Sequence, residues 1–167
     1  MKKQFYWALL FVGFIGLAAV LQFSTSNAFD ADSLYHIKHS FLYGTEGLFN
    51  SAFPWTQYSV INQYSADLWY GFHILTLPFS WFYDLGTGIK IGGVFITVVA
   101  GLLVFAAFKR MKIKWPAVWV LIFLLATADV LYRFAMFRPH PLSLGLALLI
   151  FAYLNTDSSR FSKIVLF

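Results

Sequence analysis

Cysteine is absent from the chain, which removes a disulfide framework, a thiolate nucleophile and any cysteine-based metal site, and leaves the redox compartment open. Charge is nearly as scarce. Asp, Glu, Lys and Arg make up 11% of the 167 residues, against about a quarter in a soluble domain. Such a composition cannot coat a water-exposed surface. Repeats and low-complexity tracts are missing too, which argues against solenoid arrays and biased tails. What fills the chain is apolar: 60% hydrophobic and 21% aromatic residues, with a mean hydropathy of +0.71. The bilayer must therefore act as solvent. The formal charge of +5 does not point to nucleic acid, because the basic residues sit in short clusters beside apolar runs, as membrane anchors do.

The pattern predicts an all-α, polytopic transmembrane helix bundle. Residues 5–23 follow Lys2 and Lys3 and carry no charge, which matches the ~20 residues that cross a ~30 Å hydrocarbon core. The run exceeds the usual signal-peptide core and reads as an uncleaved anchor. Further spans are expected at residues 89–108, 115–132 and 142–154, the last with only 13 residues and borrowing from Phe134 to Phe137 or lying at an angle. Residues 68–83 are apolar but interrupted by His73 and Pro78. If that stretch stays on the outer side, Lys2 and Lys3, the cluster of Lys109, Arg110, Lys112 and Lys114, and Arg160 with Lys163 all fall in the cytoplasm, as the positive-inside rule requires. Four spans follow, with a cytoplasmic amino terminus in a bacterial inner membrane and an outer loop at about residues 24–67. The chain stops as another apolar run opens at Ile164, so the single domain 1–167 is expected to be the amino-terminal part of a longer protein.

Polar chemistry gathers on that outer side. Asp30 is a plausible N-cap and Gly44 a plausible terminator for a short amphipathic helix, with Leu34, Ile37 and Phe41 as its apolar stripe on the membrane surface. Asp32, Tyr35, His36 and His39 share another face. Two carboxylates beside an imidazole can hold a divalent cation, Mg or Mn, or provide a base for an acceptor hydroxyl. Equally, Asp30 can cap the helix and Asp32 favour its first turn, with the histidines on the wet face. At a second outer corner, Arg133, Arg138 and His140 stand near Asp129. Arginine offers a fork suited to phosphate, although Arg133 can simply pair with Asp129 one turn away. His73 reads as a satisfied interfacial histidine, and Pro54, Trp55 and Tyr58 as interface aromatics able to stack on a sugar ring.

A cytoplasmic start, one span and an outer loop opening on Asp30-Ala31-Asp32-Ser33-Leu34-Tyr35-His36-Ile37-Lys38 resembles the GT-C membrane glycosyltransferases, in particular oligosaccharyltransferase catalytic subunits and their bacterial relatives. Phe53-Pro54-Trp55-Thr56-Gln57-Tyr58, Phe72-His73-Ile74-Leu75-Thr76-Leu77-Pro78-Phe79 and Arg133-Phe134-Ala135-Met136-Phe137-Arg138-Pro139 stand in similar order there. The resemblance implies transfer of a sugar from a polyprenyl-phosphate or polyprenyl-diphosphate donor to an acceptor at the outer face. On that resemblance Asp32 and Asp30 would be the catalytic or metal-binding pair, and the carry-over reaches these two only; Arg138, His140, Arg133 and His36 are the candidate substrate-binding groups on their own chemistry. In oligosaccharyltransferases a second acidic motif follows, whereas this corner reads Arg138-Pro139-His140-Pro141. A metal-independent transfer, with one aspartate as base and arginine on the lipid phosphate, therefore stands beside the metal-dependent one. The partners expected are the lipid-linked donor and membrane lipids. A transporter or a non-catalytic assembly protein is the alternative, and a transporter would call for broken helices at mid-membrane. The expected cavity joins Asp32, Arg138 and His140 at spacings of roughly 5–12 Å.

Overall fold

The computed structural model describes residues 2–26, 30–49 and 67–156, with side chains of the first helix described from Phe11 onward. The described residues form helices and no strand. In chain order they are α1 (Lys2–Phe23), α2 (Ala31–Glu46), α3 (Tyr70–Thr76) running into a 3-10 turn (Leu77–Trp81), α4 (Leu85–Arg110), α5 (Pro116–Leu125), α6 (Ala128–Ala135) and α7 (His140–Thr156). Pro54, Trp55, Tyr58, Arg160 and Lys163 lie outside the described residues.

The central element is α4. Asp84 starts it by accepting hydrogen bonds from Gly86 N (3.1 Å) and Thr87 N (2.9 Å), and Lys109 and Arg110 end it, each charge matched to its end of the helix dipole. At 26 residues and 1.5 Å per residue it is roughly 39 Å long, the one described helix that by itself is long and apolar enough to cross a membrane. It packs most extensively on α7, and also on α1, α2, α5, α6 and the 3-10 turn. Two glycines set the closeness of that packing. A Cβ on Gly88 would collide with the Phe79 carbonyl, and one on Gly92 with the Phe137 ring.

The expected third span is not one straight helix. It breaks between α5 and α6, which meet at 97°. Thr127 adopts an extended backbone there, and its hydroxyl accepts from Val130 N at 3.2 Å, starting a new helix inside the apolar run. The carbonyls at the far end of α6 are satisfied by side chains: Thr97 Oγ1 donates to Phe134 O at 2.7 Å, and Gln22 Nε2 to Ala135 O. The fourth apolar helix begins at His140 rather than borrowing from Phe134 to Phe137, because the chain is extended at Met136.

Near the expected outer side, Pro78 can offer no amide hydrogen, and α3 tightens into the 3-10 turn there. α2 departs further from expectation. It passes Gly44 and ends at Gly47, whose φ of 105° suits glycine. Leu34 of the expected membrane-surface stripe is exposed, but Ile37 of the same stripe is buried in the protein, together with Ser33, His36, His39 and Ser40. The polar face turns inward because α3 presents a polar face of its own: Ser40 Oγ meets Thr76 Oγ1 at 2.8 Å.

Candidate functional site

Two polar clusters flank α2. The first is at its amino terminus. Asp30 Oδ1 accepts from Ser33 N (2.8 Å) and Oδ2 from Ser33 Oγ (3.0 Å), so the expected N-cap is real. Arg138 adds more. Its Nε and Nη2 each lie 3.1 Å from Asp30 Oδ1, and Nη2 also reaches Asp32 Oδ2 at 2.9 Å. The approach is built locally. Phe137 packs its buried ring on Gly92 and against Phe72, and donates its N–H to Ser33 Oγ at 3.3 Å, leaving the next residue beside the start of α2. The side chain of Asp30 is 7% exposed and that of Asp32 59%. Asp30 is thus fixed by the fold, whereas Asp32 faces solvent.

This arrangement corrects several expectations. Arg138 and Asp32 are in contact rather than 5–12 Å apart, because the guanidinium bridges both carboxylates. The same guanidinium stands where a cation shared by Asp30 and Asp32 would sit, so the pair does not fit a metal in this arrangement. His140 does not join them. It is exposed and shares an apolar cleft of about 360 Å³ with Arg133, Phe134 and Leu144. Arg133 pairs with Asp129 at 2.9 Å, both side chains 68% exposed, in the one-turn spacing that local pairing favours. The cleft next to the acidic corner, about 690 Å³, involves Asp30 rather than Asp32, together with Phe23, Leu34, Asp84, Thr87 and Lys90. Lys90 Nζ donates to Thr25 O at 2.6 Å at its edge.

The second cluster lies on the buried face of α2 and was not expected. His36 is 3% exposed, so it is not open to a substrate as the sequence implied. Its Nδ1 meets His73 Nε2 at 2.8 Å, and His73 Nδ1 meets Asp67 Oδ2 at 2.6 Å. Tyr43 Oη donates to the same Asp67 oxygen at 2.8 Å, and Trp69 N to Oδ1 at 2.9 Å. His39 completes the group, with Nε2 4.0 Å from Asp67 Oδ2, Nδ1 3.3 Å from Tyr35 Oη and its ring stacked on Tyr43. Ligand-type atoms of His39, Asp67 and His73 all lie within 4.8 Å of one another, so this trio can hold a metal ion.

Burial, and then the neighbouring His73 and Arg138, push His36 down to a pKa of about 3, which keeps it neutral. Burial alone would raise Asp67, but hydrogen bonds from His73 and Tyr43 outweigh it and bring the carboxyl down to about 2. Burial and the Asp67 charge raise Tyr35 to about 12, and burial with the Asp67 hydrogen bond raises Tyr43 as well. The cluster therefore gathers a neutral His36 and two protonated tyrosines around one buried carboxylate. His36, His39 and Tyr43 recur at one-turn spacing on α2, a signal that could have revealed a buried polar seam, but nothing local marks Asp67 as its partner.

Compared with known proteins, the chain matches no family model, no curated protein and no solved structure.

Proposed function

We propose that the chain is a multi-pass membrane protein whose outer corner transfers a sugar from a polyprenyl-phosphate or polyprenyl-diphosphate donor, with Asp32 as base and Arg138 as the phosphate-binding group. The observation that carries the reading is the contact of Arg138 with Asp32 and with Asp30, the latter 108 residues away in sequence. It puts a guanidinium suited to phosphate beside a solvent-facing carboxylate. The exposed apolar side chains of Phe11, Val20, Trp119, Ile122, Ile150 and Phe151 support a bilayer around the helices. The cleft of about 690 Å³ beside Asp30 has room for a sugar.

Asp30 works here as a positioning residue. It holds Arg138 through two nitrogens while the arm to Asp32 remains exchangeable. A donor phosphate competes with Asp32 for Nη2, and the freed carboxylate turns to the acceptor hydroxyl. Asp32 takes the hydroxyl proton as the acceptor oxygen bonds to the anomeric carbon. The bond from that carbon to the phosphate oxygen breaks, and the oxygen leaves with its electron pair, its charge met by Arg138. No metal enters this sequence. The transporter reading draws on the 97° bend between α5 and α6. At the bend the Val130 amide is capped by Thr127, and at the far end of α6 the Phe134 and Ala135 carbonyls are taken by Thr97 and Gln22, which favours a structural break over an ion path.

The test is transfer from a polyprenyl-phosphate sugar in proteoliposomes. Asp32→Asn is expected to cut the rate by about 10²–10⁴ with insertion intact. Arg138→Lys is expected to raise the donor KM more than it lowers stability. Wild-type activity in Asp32→Asn would refute the assignment. Cysteines placed singly at Ser51 and Ser158 of this cysteine-free chain should label from opposite sides of the membrane, and labelling of both from one side would overturn the topology.

A further inference from the structure

We propose that His39, Asp67 and His73 form a structural binding site for a zinc-class divalent cation that ties α2 to the start of α3. This site is separate from the Asp32 corner, and the proposal stands whether or not the transferase reading does.

The donor set comes first. Two imidazoles and one carboxylate suit zinc and its first-row neighbours, whereas magnesium and calcium favour all-oxygen shells. The site is closed: the side chains of His39 and His73 are fully buried and that of Asp67 is 1% exposed. Burial of three such groups together is costly unless they are paired. Donors around a tetrahedral zinc stand roughly 3.3 Å apart. His73 Nδ1 and Asp67 Oδ2 are closer, at 2.6 Å, and His39 Nε2 and Asp67 Oδ2 are farther apart, at 4.0 Å. Each spacing needs a change of about 0.7 Å to reach that value, within reach of small side-chain torsions.

The surrounding shell carries the argument further. A metal-bound histidine directs its second ring nitrogen, as N–H, at an acceptor. His73 has His36 Nδ1 at 2.8 Å from its Nε2, and His39 has Tyr35 Oη at 3.3 Å from its Nδ1. Both contacts are on the side of the ring away from Asp67. With protons on those outer nitrogens, His73 Nδ1 and His39 Nε2 present lone pairs to the centre. The carboxylate is oriented in the same way. Tyr43 Oη donates to the ligating oxygen and Trp69 N to the other. Three protein donors leave a fourth tetrahedral place for water or the Tyr43 phenol. On binding, the cation replaces the proton shared by His73 Nδ1 and Asp67 Oδ2, and that proton leaves to solvent.

The test uses the full chain purified in detergent with any affinity tag removed, so that tag histidines do not contribute. The protein is stripped with a chelator and titrated with Co²⁺. The expected result is one Co²⁺ per chain, with the visible absorption of a tetrahedral site, displaced by Zn²⁺ and untouched by millimolar Mg²⁺. The absence of cysteine means that no thiolate can produce the signal. His39→Gln and His73→Gln should abolish stoichiometric binding, and His140→Ala should leave it unchanged. Should the buried ligand variants fail to fold, Tyr43→Phe keeps the ring and removes only the hydroxyl, and is expected to weaken Co²⁺ about 10–100-fold. A wild-type protein that takes up no Co²⁺, or an octahedral spectrum displaced equally by Mg²⁺, would overturn the proposal. So would full binding by a folded His73→Gln protein.

Discussion

The two ends of Arg138's reach and the buried seam of α2 use the same chemical groups in opposite ways. At the corner, Asp32 stands 59% exposed against an arginine that can release it. In the seam, Asp67 is 1% exposed and holds two side-chain donors and a backbone amide. An exposed carboxylate pair contributes little to stability because water and salt screen it, so it is free to exchange partners. A buried carboxylate serving several donors cannot exchange without leaving them unsatisfied. The difference separates a group able to act from a group that holds the fold.

The sharpest way to break that comparison is to remove each carboxylate in turn. Asp67→Ala strands His73, Tyr43 and the Trp69 amide, and is expected to cost about 3–5 kcal/mol, read as a fall in thermal midpoint and in folded yield. Asp32→Ala should stay within about 1 kcal/mol of wild type. Equal losses would erase the distinction. Asp30 sharpens it from between. Its removal takes away both a helix cap and the anchor of Arg138, for an expected loss of about 1–3 kcal/mol. Asp30→Asn should recover the capping part alone.

The smallest effect is a pH dependence, measured on chelator-stripped protein. His36 titrates near 6.5 in an unfolded chain and near 3 when folded. Between those values the unfolded state binds the extra proton, so stability is full above pH 6.5 and declines as pH falls towards 3. The slope approaches about 1.4 kcal/mol per pH unit. Asp67, lowered from 3.8 to about 2, adds a second slope at lower pH, its share of stability being present above 3.8 and lost as pH falls to 2. Melting of His36→Gln should lose the slope between pH 6.5 and 4 and keep the lower one. An unchanged slope in that variant would mean that His36 is not the buried neutral group described.

What the sequence made legible was local or long-range in charge. Asp30 as an N-cap needs only the amide three residues on, and α4 announces itself by an uninterrupted apolar run closed by Lys109 and Arg110. The meeting of Arg138 with Asp32 joins opposite charges at the two corners where the sequence gathers its polar chemistry. The rest depended on partners that no local pattern names. Thr127, two residues before Asp129, is a cap signal, but it is hidden inside a run that otherwise reads as a single span. The inward turn of α2 reflects a polar face on α3, in His73 and Thr76, and amphipathicity alone assigns such a face to water. Asp67 carries no mark of its own, because its role exists only once α2 and α3 are packed.

The contact that joins Arg138 to Asp30 also orders events in time. The carboxylate emerges from the ribosome 108 residues before the arginine, and at about 5–20 residues per second it waits on the order of 5–20 s for its partner. During that interval the start of α2 has its cap but no counter-charge, and Ser33 Oγ lacks the Phe137 amide. A chain made only as far as α5 therefore has no arginine beside its acidic corner. The guanidinium cannot reach Asp30 until α6 has turned and Phe137 has settled on Gly92, so the start of α2 is completed by residues made long after it.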